Sequence, residues 1–240
     1  METPVLDLPI NYQTLNVDIE PVAQIRQFGP DSYDVANWVA TVAVNSPADQ
    51  HYTLVIPFAI ESGTRATAVV VSSSDEDFDE TATFKKPKGN IDQFVPYLQK
   101  MGLLAPEATS VPNELKSFVK GFKVAKLRIP AGQQILRIHA SQKLLPTAAD
   151  NRSYELVMYA PLCSFVMAGG QTNLTAILTL PPDFQVPSLQ VSEFKIEPLP
   201  GQSMPGEGSP AATPVQASNN KVYAWHFRND PKITVSYRYN

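Results

Sequence analysis

Cysteine is nearly absent from this 240-residue sequence, and a single copy, Cys163, excludes a disulfide within one chain. It lies in the apolar segment MYAPLCSFVM, so we expect a small buried side chain rather than a reactive thiol. Histidine is also scarce: His51, His139 and His226 stand in separate predicted strands, without H-x-H or H-E-x-x-H spacing. We therefore expect hydrogen-bonded or surface histidines rather than metal ligands.

Charge is low as well, since charged residues make up 18% of the chain and the net charge is −4. Lysines cluster only in KKPK at 85–88, whereas nucleic-acid binding needs many cations along one surface. The N-terminal segment METPVLDLPINYQ lacks the basic and apolar regions of a signal peptide. No apolar run approaches the ~20 residues that cross a membrane. The sequence predicts no nucleic-acid partner and no membrane insertion within this chain, and it leaves the compartment unknown.

Signatures of catalysis are missing too. The nucleophile motif G-x-S-x-G is absent, and GQSMP at 201–205 matches it only superficially, inside a proline-rich segment. The pair at 169–170 is an isolated Gly-Gly, whereas a phosphate cradle needs a helix N-terminus after it. We therefore expect a protein that is not an enzyme.

What the chain has in quantity is proline, with 22 residues against 11 glycines, and period-two alternation of apolar and polar residues. Such alternation is typical of half-buried strands and occurs at 15–19, 52–60, 174–180 and 233–239. Three runs, at 35–45, 135–140 and 154–165, are apolar on both faces, which favours the centre of a sandwich. The patterns predict an all-β fold of about ten strands, an antiparallel β-sandwich of Ig-like or jelly-roll type.

One segment departs from the strand pattern. Apolar residues at 91, 94/95, 98 and 101 have helical spacing, and Asn90 can cap the helix start. Pro96 interrupts this pattern and would kink a continuous helix. A second short helix is predicted at 112–120, with Gly121 as its stop. We predict a small helical insertion at about 89–121.

The predicted domain organisation is a single β-sandwich domain over residues 1–240. The alternative has two domains that divide near the helical insertion. The segment 129–132, Ile-Pro-Ala-Gly, is interpreted as the corner of a β-hairpin. The Pro/Gly/Ser-rich stretch at about 198–218 is predicted to be a long loop.

An acidic stretch, DEDFDE at 75–80, is the strongest charge feature and precedes the lysines of KKPK. Asp75, Asp77 and Asp79 have the D-x-D-x-D spacing of a loop that holds a hard cation such as calcium. Glu80 and Lys86 occupy the positions where an EF-hand needs Gly and Glu, so that match fails. A solvated hairpin is the expected structure. A calcium loop of another type and a docking loop for a basic partner remain alternatives, and otherwise we expect no cofactor.

Aromatic residues are concentrated at the end of the chain. Tyr223 and Trp225 share one face of KVYAWHFRN, and Tyr237 and Tyr239 share one face of the last predicted strand. Core packing of two strands explains this pattern, and a partner-binding surface is the functional alternative. If the last strand is a sheet edge, its free backbone groups could accept a partner strand.

These features favour a structural or assembly protein, for example a virion or surface-layer component that acts through protein–protein contacts. Its partner would be a second copy of itself or another protein subunit, and a homo-oligomer is expected. The alternative is an extracytoplasmic binding module for protein, glycan or calcium, cut from a longer membrane-anchored protein.

Overall fold

The computed structural model describes residues 8–25, 28, 31–58, 65–71, 81–148, 150–162, 174–182, 186, 188–199, 215–216, 221–227 and 230–240. These residues are mostly β. The strands are β1 (Ile10–Glu20), β2 (Asp34–Ser46), β3 (Gln50–Pro57), β4 (Arg65–Val71), β5 (Thr81–Phe84), β6 (Phe122–Ile129), β7 (Gly132–Leu144), β8 (Ser153–Tyr159), β9 (Leu174–Thr179), β10 (Leu189–Pro198), β11 (Val215–Gln216), β12 (Val222–Phe227) and β13 (Pro231–Tyr239). The α-helices are α1 (Val22–Ile25), α2 (Val95–Lys100) and α3 (Asn113–Lys120), and a 3-10 turn at Ile91–Phe94 precedes α2.

The described strands form three sheets. The largest has eight strands in the order β11-β12-β9-β1-β2-β7-β4-β5, a second has the order β10-β13-β8, and β3 pairs with β6. The prediction of a β-rich fold is confirmed, and the sheets do not close into a barrel. The prediction of purely antiparallel pairing is wrong at one place, because β1 and β9 run parallel. The Ig-like or jelly-roll type stays a prediction.

Of the three sequence runs that are apolar on both faces, two form central strands of a sheet, as predicted. β2 lies between β1 and β7, and β7 lies between β2 and β4, so both are central as predicted. β8 is an edge strand of its sheet, which corrects the prediction of a central position. Its second apolar face has another cause: Tyr159 packs against Phe118 of α3, with ring centroids 5.2 Å apart. A helix, rather than a further strand, covers this face.

Several connections lead from one sheet to another. The segment Ile129–Gly132 joins β6 of the two-stranded sheet to β7 of the eight-stranded sheet, so the predicted hairpin corner is wrong. Aromatic pairs hold the layers together: Trp38 of β2 meets Phe58, just after β3, at 5.4 Å. Phe194 of β10 meets Trp225 of β12 at 5.5 Å. One large buried apolar cluster therefore draws residues from all three sheets.

The predicted helical insertion is confirmed, but Pro96 and Gly121 have different roles in it from those predicted. Asn90 caps the 3-10 turn, because its Oδ1 accepts a hydrogen bond from the amide of Asp92 at 3.2 Å. Pro96 falls in the first turn of α2, where a missing N–H costs little, so no continuous helix has to kink. Gly121 ends α3 with an ordinary φ of −77°. A Cβ there would lie 1.9 Å from the carbonyl oxygen of Phe58, so close backbone approach is what requires glycine.

A second apolar cluster lies beneath the helices and contains Phe94, Leu98, Leu115, Phe118, Phe122 and Tyr159. The single-domain prediction over residues 1–240 stays a prediction. In the predicted loop at 198–218, residues 200–214 and 217–218 lie outside the described residues, and β11 occupies two of the remaining positions.

Candidate functional site

The four aromatic residues named as partner-binding candidates are buried. The exposed fractions of Tyr223, Trp225, Tyr237 and Tyr239 are 9%, 4%, 1% and 0%. Tyr223 and Trp225 pack against Phe194 of β10, with centroid distances of 4.8 and 5.5 Å. The strand that carries Tyr237 and Tyr239 is not an edge, because β13 pairs with both β10 and β8. These rings thus join sheets within the chain. The backbone groups of β13, which would have to be free to accept a partner strand, are already paired.

A buried carboxylate lies at the centre of the tyrosine group. Asp34, at the start of β2, accepts hydrogen bonds at Oδ2 from the hydroxyls of Tyr237 and Tyr239, at 2.8 and 2.7 Å. Its Oδ1 accepts the backbone N–H of Ala23 at 3.0 Å. Tyr154 of β8 stacks on Tyr237 with centroids 5.6 Å apart. Sequence reasoning missed Asp34, since nothing in the pattern of β2 links it to residues some 200 positions away.

Protonation in this cluster is set mainly by burial. Desolvation raises the pKa of the Asp34 carboxyl, and the hydrogen bonds from Tyr239, Ala23 and Tyr237 oppose that rise. Burial, together with the neighbouring Asp34 charge, raises the pKa of both the Tyr237 and the Tyr239 hydroxyl. The hydroxyls therefore stay protonated and act as donors. Because Asp34 is fully buried, the cluster stabilises the junction of two sheets and offers no surface to a ligand.

The metal candidates Asp75, Asp77 and Asp79 lie outside the described residues, and so does Cys163. Within the part of the chain that the structure describes, no group of three His, Cys, Asp or Glu side chains is placed to hold a metal ion. The three histidines are exposed on different strands. Among the same residues, no helix has both the length and the apolar composition that a membrane crossing requires.

A groove on β1, β2 and β7 of the eight-stranded sheet is the candidate site that the described residues form. Its volume is about 420 Å³, and it is lined by Asn11, Tyr12, Ala43, Val44, Gln133, Gln134 and Ile135. Ala43 is in register with Tyr12 on one side and with Ile135 on the other. The short Ala43 side chain between two larger ones leaves the depression, and Ala43 itself is buried there.

A β-bulge shapes one wall of the groove. The register of β1 against β2 shifts between Ile10 and Tyr12, so Asn11 and Tyr12 are both exposed although they are consecutive. The next residue, Gln13, is buried and bonds both backbone groups of Leu162: Nε2 donates to the carbonyl at 2.8 Å, and Oε1 accepts the N–H at 2.9 Å. These bonds fix the strand directly beside Tyr12. Sequence reasoning missed this site, because a bulge and a cross-strand register are not visible in one sequence.

The lining of the groove is uncharged among the described residues. Asn11 and Gln133 supply amide groups, and Tyr12 supplies a phenol. The Gln134 amide donates to the Ala131 carbonyl at 3.3 Å, and the remaining residues are aliphatic. Tyr12 is 41% exposed and is one of two large apolar side chains with such exposure in the described chain, the other being Leu145. Val71, the last residue of β4, pairs with Ile135 at the groove, and the acidic stretch that follows in sequence lies outside the described residues.

Comparison of the sequence with protein families and with curated proteins finds no match. Among solved structures, a candidate nutrient binding protein from Legionella pneumophila subsp. pneumophila str. Philadelphia 1 is similar to this chain. It is 10% identical, the alignment covers 97% of this chain and 68% of that chain, and the TM-score is 0.47. A likeness this distant carries no argument about function.

Proposed function

We propose that the protein is a non-enzymatic binding protein and that its ligand occupies the groove between Tyr12 and Ile135. The observation that carries this proposal is the bulge in β1, which turns two consecutive side chains outward beside the small Ala43. Bulges are enriched where a sheet re-aims side chains toward a functional site. The groove volume of about 420 Å³ falls in the range of small-ligand sites, roughly 300–1,000 Å³.

The chemistry of the lining supports binding rather than catalysis. General acid–base catalysis needs a side chain that gives or takes a proton in the transition state, most often His, and also Glu, Asp, Lys, Tyr or Cys. Of the seven described lining residues only Tyr12 is of these types, and no His, Asp, Glu, Lys or Cys accompanies it. Amides and aliphatic groups instead fix the position and orientation of a ligand.

Ligand binding in the groove can be measured by NMR, because Ala43 and Ile135 carry methyl groups whose chemical shifts respond to a nearby ligand. With ¹³C-methyl-labelled Ala and Ile, a library of small neutral molecules is titrated while methyl shifts are recorded. We expect at least one component to shift Ala43 and Ile135 and to leave Ala125 of β6 and Ile91 of the 3-10 turn in place. If no component moves the groove methyls, or if remote methyls move equally, the groove is not the binding site.

Assembly through protein–protein contacts is the second candidate. The ten-residue edge strand β10 is the feature that favours it, because an edge can add a strand from another chain. However, β10 is interrupted by a register shift between Val191 and Glu193, carries Lys195 and Glu197, and ends at Pro198. Bulges, charges and proline are the devices that block strand addition at an edge. The groove is therefore the better-supported site.

A further inference from the structure

We infer that the groove binds a neutral saccharide, with Tyr12 as the ring on which a sugar unit stacks; this inference rests on the proposed binding function. Each sugar hydroxyl both donates and accepts hydrogen bonds, and each sugar ring also presents an apolar C–H face. The groove offers the complementary groups in one place. The Asn11 and Gln133 amides each provide two donors and an acceptor, while Tyr12 and Ile135 provide apolar surface. The Gln134 amide is engaged already, because its Nε2 donates to the Ala131 carbonyl at 3.3 Å.

The described lining disfavours two other classes of small ligand, because it carries no charged side chain. Anion sites are built from Arg and Lys side chains or from helix N-termini, and cation sites are built from clustered carboxylates. The seven described lining residues include no charged side chain, and all of them belong to strands or their bulge. Against these seven residues, a ligand with a net charge would lose hydration without gaining an opposite charge.

Sheet geometry disfavours a peptide. An extended peptide that adds to a sheet needs an open strand edge. The groove lies on β1, β2 and β7. Its central strand, β2, pairs on both sides at Ala43 and Val44, so an added strand finds no free backbone groups there. A protein partner of standard size would need about 800 Å² of contact surface per partner, far more than seven residues provide.

Tyr12 is exposed on a strand segment that is anchored beside it. The residue is 41% exposed, and the paired hydrogen bonds between Gln13 and Leu162 hold the adjacent position of β1. A backbone that is fixed before binding loses little conformational entropy when the ligand arrives, which favours affinity. Ala43 lies beside it in register, so the sugar face would rest on Tyr12 with its edge toward the amides.

The experiment titrates the full chain with cellohexaose, maltohexaose and hexa-N-acetylchitohexaose, with an oligogalacturonate as the charged control. Methyl shifts at Ala43 and Ile135 locate the binding, and calorimetry gives the affinity. We expect at least one neutral oligosaccharide to bind and the oligogalacturonate not to bind. Tyr12→Ala should weaken binding about tenfold or more, whereas Tyr12→Phe, which keeps the ring, should stay within about threefold.

Two controls separate the groove from general surface effects. Leu145→Ala removes the other exposed large side chain, and Gln190→Ala removes an exposed amide on β10; both should bind as the unchanged protein does. Ala43→Leu should block the groove by filling it, and melting curves of all variants verify that they are folded. If neutral oligosaccharides bind but Tyr12→Ala and Ala43→Leu have no effect, the saccharide site is elsewhere and this inference fails.

The two proposals fail in different ways. If none of the neutral oligosaccharides shifts the groove methyls while another small molecule from the library does, the ligand class is wrong and the binding function stands. If neither the saccharides nor the library shifts them, both proposals are wrong.

Discussion

The hydroxyl of Tyr239 donates a hydrogen bond to Asp34 Oδ2 over 2.7 Å, although the two residues are 205 positions apart. This contact joins β2 of the eight-stranded sheet to β13 of the three-stranded sheet. Tyr237 donates to the same oxygen, and Ala23 donates to the other, so one carboxylate connects three parts of the chain. The connection is made inside a region where burial disfavours the charge, so it is sensitive to both substitution and pH.

Replacing Asp34 should weaken the fold. In Asp34→Asn, one acceptor oxygen becomes an NH₂ group that faces a donor, either Ala23 N–H or the tyrosine hydroxyls. A buried donor left without an acceptor costs about 1–3 kcal/mol, and we expect a loss of that size in the free energy of unfolding. Urea denaturation at neutral pH measures it. Asp18→Asn, on an exposed position of β1, is the control and should change stability by less than about 0.5 kcal/mol. Equal effects of the two variants would contradict the role of Asp34.

The pH dependence of this carboxyl has a defined sign. Burial raises the folded-state pKa of Asp34 above its ordinary value of 3.8, so the folded protein holds this proton more tightly than the unfolded chain. The part of the stability that comes from this tighter proton binding is then fully present below about pH 3.9 and is lost as pH rises through the folded-state pKa. The difference in free energy of unfolding between the unchanged protein and Asp34→Asn should therefore be largest near pH 4 and decline at higher pH.

Asp49 provides the opposite case for the same measurement. The Arg128 guanidinium lowers the pKa of the Asp49 carboxyl, since Nε and Nη2 donate to its two oxygens at 2.7 and 2.6 Å. The stability that Asp49 contributes is present above its unfolded-state pKa and is lost as pH falls through the lowered value. Denaturation curves of Asp49→Asn between pH 3 and 7 should thus show the reverse trend. The same direction for both variants would mean that the Asp34 effect is a general response to acid.

The sequence predicted the strands better than their partners. Alternation at Leu15, Val17 and Ile19 depends only on the period of a pleated strand, and all three are buried as expected. Pairing depends on contacts between distant residues, which is why the turn at Ile129–Gly132 looked like a hairpin although it changes sheets. Local pattern cannot tell a turn within one sheet from a turn between two.

The same limit explains what was missed at the candidate site. Asp34 stands in the sequence as one polar residue before an apolar run, and only the fold brings Tyr237 and Tyr239 to it. The groove exists because Ala43 is in register with Tyr12 and Ile135 and because β1 contains a bulge. None of these relationships has a signal in the spacing of a single sequence. The exposed aromatic at the groove, Tyr12, was therefore overlooked in favour of the buried aromatics near the C-terminus.

Gly121 should tolerate no side chain. The Cβ of alanine would lie 1.9 Å from the Phe58 carbonyl oxygen. The backbone hydrogen bond that Phe58 N–H donates to the Gly121 carbonyl would then have to break or shift. We expect Gly121→Ala to lower the free energy of unfolding by about 3 kcal/mol or more, at the upper end of overpacking costs. Gly102→Ala is the matched control: its Cβ meets nothing within 4 Å, but its φ of +68° costs alanine about 1–2 kcal/mol. Thermal or urea denaturation ranks the two, and a larger loss at Gly102 would mean that the close approach at Gly121 relaxes easily.

Solution mass and its response to calcium test the remaining sequence predictions together. The sequence favours a homo-oligomer, whereas the described surface has a guarded edge at β10 and only two large exposed apolar side chains, Tyr12 and Leu145. We therefore expect light scattering after size exclusion to give the mass of one chain. A discrete oligomer would instead support the assembly function.

Running the same experiment with calcium and with chelator addresses Asp75, Asp77 and Asp79. Clustered carboxylates repel one another, and a bound cation would stabilise the folded protein by mass action, so calcium binding has to raise the melting temperature. We expect neither elution nor melting to change between calcium and chelator, because a solvated acidic hairpin does not need a cation. The variant in which all three aspartates become asparagine is the control. A calcium-dependent rise in melting temperature that this variant loses would establish the three carboxylates as ligands, and a rise that it keeps would place the calcium elsewhere.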